Sequence, residues 1–219
     1  MEDADQALAY AHADFSEPHD MFVALLRDRL DVPTEAADLL VDLGCGPGDV
    51  TMRFARAFPR TRIDGVDGSR AMLDLGVAAV ARARLDERVR LCLARLPDDP
   101  LPEPRYDGVI SNAMLHHLSD PTVLWQAVKR AAVPGAWVFV MDLRRPATLA
   151  DARRLVETYA AEEAEVLKRD FYNSLLAAYR PEEVQEQLQL CGLASLVVEA
   201  VGDRHLIVHG RLEPGSQAS

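Results

Sequence analysis

The sequence predicts an α/β fold built on a doubly wound, mostly parallel sheet, and three observations predict it. Short apolar runs alternate with helical patterns along most of the chain, a glycine-rich turn joins the first run to the helix after it, and polar residues recur where the runs end. Alternation of this kind puts helices on both faces of a parallel sheet, and ligands then sit beyond the carboxyl ends of the strands. At 219 residues the chain is long enough for one domain with a sizeable core, and a single domain over residues 1–212 is expected.

The elements follow in order. Residues 7–13 are short and helix-permissive, and Glu17-Pro18 opens a stronger helix with Met21, Phe22, Leu25, Leu26 and Leu30 at apolar positions, giving an N-terminal helical segment over 1–36. The first strand covers 39–43 and a helix covers 50–58. The second strand runs over 62–66 and ends in Asp67, with Ser69 as N-cap candidate for a helix over 69–85. A third strand over 89–93 leads through Pro97, Pro100, Pro102 and Pro104 to a fourth over 106–111. A helix over 122–132 and the Pro134-Gly135 turn precede a fifth strand over 136–142.

The stretch 147–180 breaks the alternation. It is too long for a loop and places Leu149, Ala152, Leu155, Val156 and Tyr159 at helical spacing, so it reads as a helical cap. Pro181, Glu182 and Glu183 open another helix that stops at Gly192. Two apolar runs, 196–201 and 205–208, joined by Gly202-Asp203, form a terminal hairpin, and the polar tail 213–219 is expected to be disordered.

Residues 41–49 read Val-Asp-Leu-Gly-Cys-Gly-Pro-Gly-Asp: a strand end, an acid, three alternating glycines and a helix start. Glycine supplies positive φ and lets a ligand approach the main chain, while the helix start presents unpaired N–H groups. Such a turn suits a nucleotide-like ligand, and its spacing differs from the dinucleotide fingerprint Gly-x-Gly-x-x-Gly.

Asp-Leu-Gly-Cys-Gly-Pro-Gly resembles the first motif of class I S-adenosylmethionine-dependent methyltransferases. The resemblance implies a Rossmann-like sheet of seven strands, with one antiparallel strand from the hairpin inserted beside the fifth, and S-adenosylmethionine as cofactor. It makes Asp42, Gly44, Cys45, Gly46 and Gly48 cofactor-binding candidates, the glycines under the methionyl end and ribose, Asp42 orienting the turn or the amino group. Residues 66–73, Val-Asp-Gly-Ser-x-x-Met-Leu, resemble the second motif and add Asp67, Gly68 and Met72. There Asp67 accepts hydrogen bonds from both ribose hydroxyls, or else caps the next helix. Met72 touches the adenine face or belongs to the core.

Leu93-Ala94-Arg95-Leu96 falls where many relatives carry Gly-Asp-Ala. Arg95 replaces an acid that holds the adenine amino group, and a guanidinium has no acceptor lone pair. Arg95 and Leu96 remain candidates for that wall, with Arg95 either stacking on the ring or pointing outward.

Residues 106–118, followed by Asp120-Pro121, resemble the fourth-strand motif of small-molecule methyltransferases. The resemblance sets Asn112 and Ala113 beside the sulfonium and its methyl group. It makes His117 and His116 the catalytic candidates, His117 foremost, because an imidazole suits a general base near neutral pH. The alternative is that both rings hydrogen-bond backbone carbonyls. Methyl transfer is an in-line displacement that needs a base only for a protonated nucleophile. The implied function is methyl transfer to a small molecule, with oxygen as the first acceptor atom. The rivals are an S-adenosylmethionine-binding protein with a non-methylating or regulatory role, and an NAD-dependent oxidoreductase.

Substrate candidates lie outside these motifs: Tyr10 and Phe15 before the first main helix, Arg144 after the fifth strand, and Tyr172, Asn173 and Tyr179 in the cap. Each has a plain competing role in packing or at the surface. The net charge of -11 opposes a long polyanion, so no nucleic-acid partner is expected, while Arg144-Arg145 and Arg153-Arg154 suit a carboxylate or phosphate. The three cysteines, Cys45, Cys92 and Cys191, show no Cys-x-x-Cys spacing, so neither a metal site nor a disulfide framework is expected. The start at 1–5 is acidic where a signal peptide is basic, and the apolar run 136–141 is too short for a bilayer. A cytoplasmic monomer or homodimer without membrane partners is therefore expected.

Overall fold

The computed structural model of the chain describes residues 16–35, 38–102 and 105–213. The strands are β1 (Leu39–Leu43), β2 (Arg62–Asp67), β3 (Val89–Leu93), β4 (Tyr106–Asn112), β5 (Ala132–Leu143), β6 (Val197–Val201) and β7 (His205–Arg211). They form one sheet in the order β3-β2-β1-β4-β5-β7-β6. All neighbouring pairs from β3 to β5 are parallel, and β7 runs antiparallel to both β5 and β6. This is the mostly parallel seven-stranded sheet of the Rossmann-like methyltransferase fold.

The central strands read as near-continuous apolar runs because both faces are covered. Helices α1 (Ser16–Arg29), α2 (Asp49–Ala57) and α3 (Arg70–Arg82) cover one face, and α4 (Thr122–Ala131) and α7 (Pro181–Leu190) the other. Alternate residues of β5 divide between the two cores. Val138 and Val140 pack with Trp125 and Leu188, while Phe139 and Met141 pack with Phe22 and Phe54. Phe22 meets Phe139 edge to face at 4.9 Å, which docks α1 on the sheet. A second tie holds α1 to α2, where His19 Nδ1 lies 2.5 Å from Asp49 Oδ2. His19, and then Arg53, pull the Asp49 carboxyl down to about 2.

Strand β7 runs to Arg211 and not 208, and three further departures from the sequence expectation stand out. Helix α3 stops at Arg82 and not at 85, because the chain turns left-handed at Arg84, φ 56. The Pro134-Gly135 turn lies inside β5 and not before it. Pairing with β4 jumps from Tyr106↔Ala132 to Gly108↔Trp137, so the residues between bulge out, with Gly135 at φ 82. The cap is two helices, α5 (Leu149–Tyr159) and α6 (Glu165–Ala177), which close on Ala152, Leu155 and Leu175.

Tyr10, Phe15, the segment 7–13 and nearly all of the tail lie outside the described residues. Among the described residues no helix is long and apolar enough to cross a membrane. The three cysteines are free, Cys45 and Cys191 buried and Cys92 half-buried.

Candidate active site

The glycines of the first turn all adopt left-handed backbone, with φ 73 at Gly44, 53 at Gly46 and 81 at Gly48. Their surroundings differ. A Cβ on Gly44 would meet Met114 Sδ at 2.7 Å and Cβ at 2.9 Å, so this glycine lets the loop after β4 lie against the turn. A Cβ on Gly46 would meet nothing within 4 Å, which leaves main chain facing open space. The turn is pinned to β2 by the Gly44 and Cys45 N–H groups, which donate to the Val66 carbonyl at 2.8 and 3.1 Å.

Asp67 joins the turn to the start of α3. Its Oδ2 accepts from the Gly46 N–H at 2.9 Å and its Oδ1 from the Ser69 N–H at 2.7 Å. Ser69 Oγ in turn caps α3 by accepting from the Met72 N–H at 3.3 Å. Each Asp67 oxygen keeps a second acceptor site, so its hold on the turn and the helix start does not exhaust the carboxylate.

Asp42 ends β1 nearby and is buried. Thr51 Oγ1 donates to its Oδ2 at 2.6 Å, and its Oδ1 has no partner among the described residues. Burial foremost, with a smaller push from Asp67, raises its pKa to about 7 against the Thr51 hydrogen bond. A buried orphan acceptor is costly, and a ligand ammonium would satisfy it. Sequence reasoning missed Thr51, whose signal was a lone hydroxyl among Val50, Met52 and Phe54 on the buried side of α2. The Cys45 thiol is pushed up by burial and then by Asp42 and Asp67, which keeps it an unreactive thiol.

At the end of β4, Ser111 Oγ donates to the Leu43 carbonyl at 2.7 Å and ties the two strand ends together. Asn112 is half-buried there. Ala113 follows in left-handed backbone, φ 52, held by its N–H donating to the Met141 carbonyl at 2.9 Å. Such a conformation is uncommon without glycine. The short 3-10 turn Leu115–His117 then presents both histidines.

The histidines part company. His116 is buried, with Nδ1 2.6 Å from Asp142 Oδ1. Asp142 also accepts from the Leu115 and Leu143 N–H groups, each at 2.7 Å. A carboxylate has no proton to give, so His116 Nδ1 is the donor of this pair. His116 therefore bonds a carboxylate and not a backbone carbonyl. His117 is exposed, its ring centroid 4.0 Å from that of His116. Crowding by surrounding protein, then the His116 ring, lowers its pKa to about 4, so it is neutral at pH 7. His205, read from sequence only as a strand start, is buried opposite Leu143, and burial lowers its pKa to about 4 while Asp142 opposes the shift.

The other candidates spread out. A Cβ on Gly68 would lie 3.8 Å from the Arg95 stem, and Arg95 is exposed, with its backbone N–H donating to Asp99 Oδ2 at 2.8 Å. Leu96 packs on the core, and Met72 is buried. Tyr172 packs against the core of the cap and Asn173 is exposed. Tyr179 donates its hydroxyl to the Leu118 carbonyl at 3.3 Å, and its own carbonyl accepts from the Arg145 N–H at 3.1 Å. Arg144 Nη2 donates to the Gly202 and Asp203 carbonyls, both at 3.2 Å. Beyond the end of β5 a groove of about 630 Å³ opens, lined by Arg144, Arg145 and Arg180.

Residues 41–138 match a family model described as a methyltransferase domain. The chain is 37% identical over 131 residues to trans-aconitate 2-methyltransferase of Methylobacterium radiotolerans, covering 59% of this chain and 46% of that protein. It is 32% identical over 106 residues to an uncharacterized methyltransferase of Schizosaccharomyces pombe, covering 46% of this chain and 38% of that protein. The chain thus spans less than half the length of these two relatives. A solved SAM-dependent methyltransferase from Aquifex aeolicus has the same fold, with a TM-score of 0.70 at 17% identity over 97% of this chain and 100% of that one.

Proposed function

We propose that this chain, which carries a class I methyltransferase domain and the fold of that class, uses S-adenosylmethionine, the cofactor of the class, to methylate a carboxylate oxygen of a small organic acid. The observation that carries the cofactor half is the pairing of open main chain at Gly46 with the unpartnered, buried Asp42 Oδ1. The residues fit the group. Asp42 would accept from the α-ammonium, Gly46 would leave room for the methionyl end, and the remaining lone pairs of Asp67 would accept from the ribose hydroxyls. Bound there, S-adenosylmethionine supplies a methyl group already activated on a sulfonium. Asn112 and Ala113 border the acceptor side.

The carboxylate assignment draws on the activity named for the Methylobacterium radiotolerans relative and on the arginines beyond β5. A carboxylic acid has lost its proton well below pH 7, so no base is needed. His117 and the Asp142-held His116 then act by shaping and closing the cleft, which leaves orientation and exclusion of water as the main work of the protein.

The test is turnover by the full chain with trans-aconitate as acceptor. With S-adenosylmethionine saturating, S-adenosylhomocysteine and a base-labile methyl ester should appear in equal amounts, at a rate nearly independent of pH between about 6 and 8. Turnover confined to hydroxyl acceptors, with a pH profile that disappears in His116→Gln or His117→Gln, would overturn the carboxylate assignment.

A further inference from the structure

We propose that the arginine-lined groove beyond β5 is a second anion subsite of the cleft, holding a carboxylate of the acceptor other than the one methylated, so that the acceptor is a di- or tricarboxylate. The proposal rests on the carboxylate-methylation reading above and assigns the residues that select among acids.

Four observations converge. The first is charge: the chain carries 24 Lys and Arg against 35 Asp and Glu, yet three arginines line this one groove, with Glu182 as the acid at its rim. The second is order. Arg145 Nε donates to the Ala178 carbonyl at 2.8 Å and its Nη2 pairs with Glu183 at 3.0 Å, while Arg144 Nη2 is held by the hairpin carbonyls. Both guanidinium planes are therefore set before a ligand arrives; Arg145 already commits its fork to Ala178 and Glu183 and fixes the wall, which leaves Arg144 and Arg180 to meet a carboxylate.

The third is an unmet donor. Arg144 Nε is buried and has no hydrogen-bond partner among the described residues, a cost that an incoming anion would remove. The fourth is placement. Arg144 directly follows β5, the neighbour of β4 in the sheet, and adjacent strands lie about 4.8 Å apart. Its guanidinium reaches over the β6–β7 turn, one strand further out. The groove thus opens past the carboxyl end of β5, on the side of that strand away from β4, with Ala200 of β6 in its lining. Tyr179 ties the two places together, since its hydroxyl donates to the Leu118 carbonyl beside His117 and its carbonyl accepts from the Arg145 N–H. Ala147 and Ala200 keep the groove open by their small size, and the positive end of the ten-residue α7 begins at its edge.

The test is calorimetric titration of the full chain, saturated with S-adenosylhomocysteine, with trans-aconitate and other di- and tricarboxylates, each against the monocarboxylate crotonate. Polycarboxylates should bind about tenfold more tightly than crotonate. Arg180→Gln, at an exposed position, and Arg144→Gln should each weaken polycarboxylate binding about fivefold or more and leave crotonate and S-adenosylhomocysteine unchanged, while Glu182→Gln should tighten polycarboxylates slightly. Equal binding by wild type and both arginine variants, equal losses for crotonate, or no polycarboxylate binding at all would overturn the subsite. Arginine-dependent binding without turnover would sink the methyl-transfer reading and leave the subsite standing. Turnover of polycarboxylates that ignores both arginine changes would do the reverse.

Discussion

On the side of β1, β2 and β4 the cleft is lined chiefly by main chain: Gly46 faces open space, Ala113 is held in left-handed backbone, and Asp42 and Asp67 stand at strand ends. Beyond β5 it is lined by long charged side chains, and Arg144, Arg145 and Tyr179 are each held there by hydrogen bonds to backbone carbonyls of other elements. The first side presents a fixed shape that suits one ligand shared by many enzymes. The second presents charge at the end of a scaffold that substitutions alter without disturbing the sheet. On the proposed reading, specificity for the acceptor belongs to the second side, and affinity for the cofactor to the first.

The largest expected effect breaks the first side. Asp67→Ala removes the acceptor for the Gly46 and Ser69 N–H groups together with the proposed ribose partner. Two charge-assisted bonds at about 1.5 kcal/mol each predict roughly a hundredfold loss of S-adenosylhomocysteine affinity by calorimetry. Next comes a comparison within the turn. Gly46→Ala meets no neighbour and should cost only the left-handed strain, about 1 kcal/mol or 2–4 °C in melting temperature, yet weaken the cofactor about tenfold or more. Gly44→Ala drives a methyl into Met114 and should cost more stability than Gly46→Ala. Unchanged cofactor affinity in Gly46→Ala would move the cofactor away from that glycine.

A smaller effect follows from Asp42. Its folded pKa, about 7, lies above the ordinary value of 3.8, so the folded protein without cofactor binds the extra proton and loses stability as pH rises between those values. An ammonium beside Asp42 favours the ionised form, so cofactor binding near pH 6.5 should release protons. Calorimetry in two buffers of different ionisation enthalpy reads that release, and Asp42→Asn should abolish it. The smallest effect is expected for His117→Ala, with kcat within about threefold of wild type and an unchanged pH profile, because the acceptor has no proton to lose.

The same contrast explains what the sequence made legible. Strand β1 was readable to the residue, since Leu39 to Leu43 is an apolar run closed by a glycine turn, and Ser69 announced the α3 cap by its own chemistry. The His116–Asp142 pair joins residues 26 apart, and Arg144 meets carbonyls 58 and 59 positions later, so neither contact leaves a local pattern. The break between α5 and α6 has no glycine or proline to mark it, and the chain turns there so that Leu155 can close on Leu175. Pro134-Gly135 did announce a turn. Only the pairing register with β4 shows that the strand resumes on both sides of it.

On the proposed reading the main-chain side binds S-adenosylmethionine so that its methyl group reaches a carboxylate held from the arginine side. Incubation of the full chain with S-adenosylmethionine carrying an isotopically labelled methyl group and trans-aconitate tests it most directly. Labelled methyl ester and S-adenosylhomocysteine are expected in equal amounts. Intact S-adenosylhomocysteine binding with no labelled ester from any di- or tricarboxylate would contradict that reading.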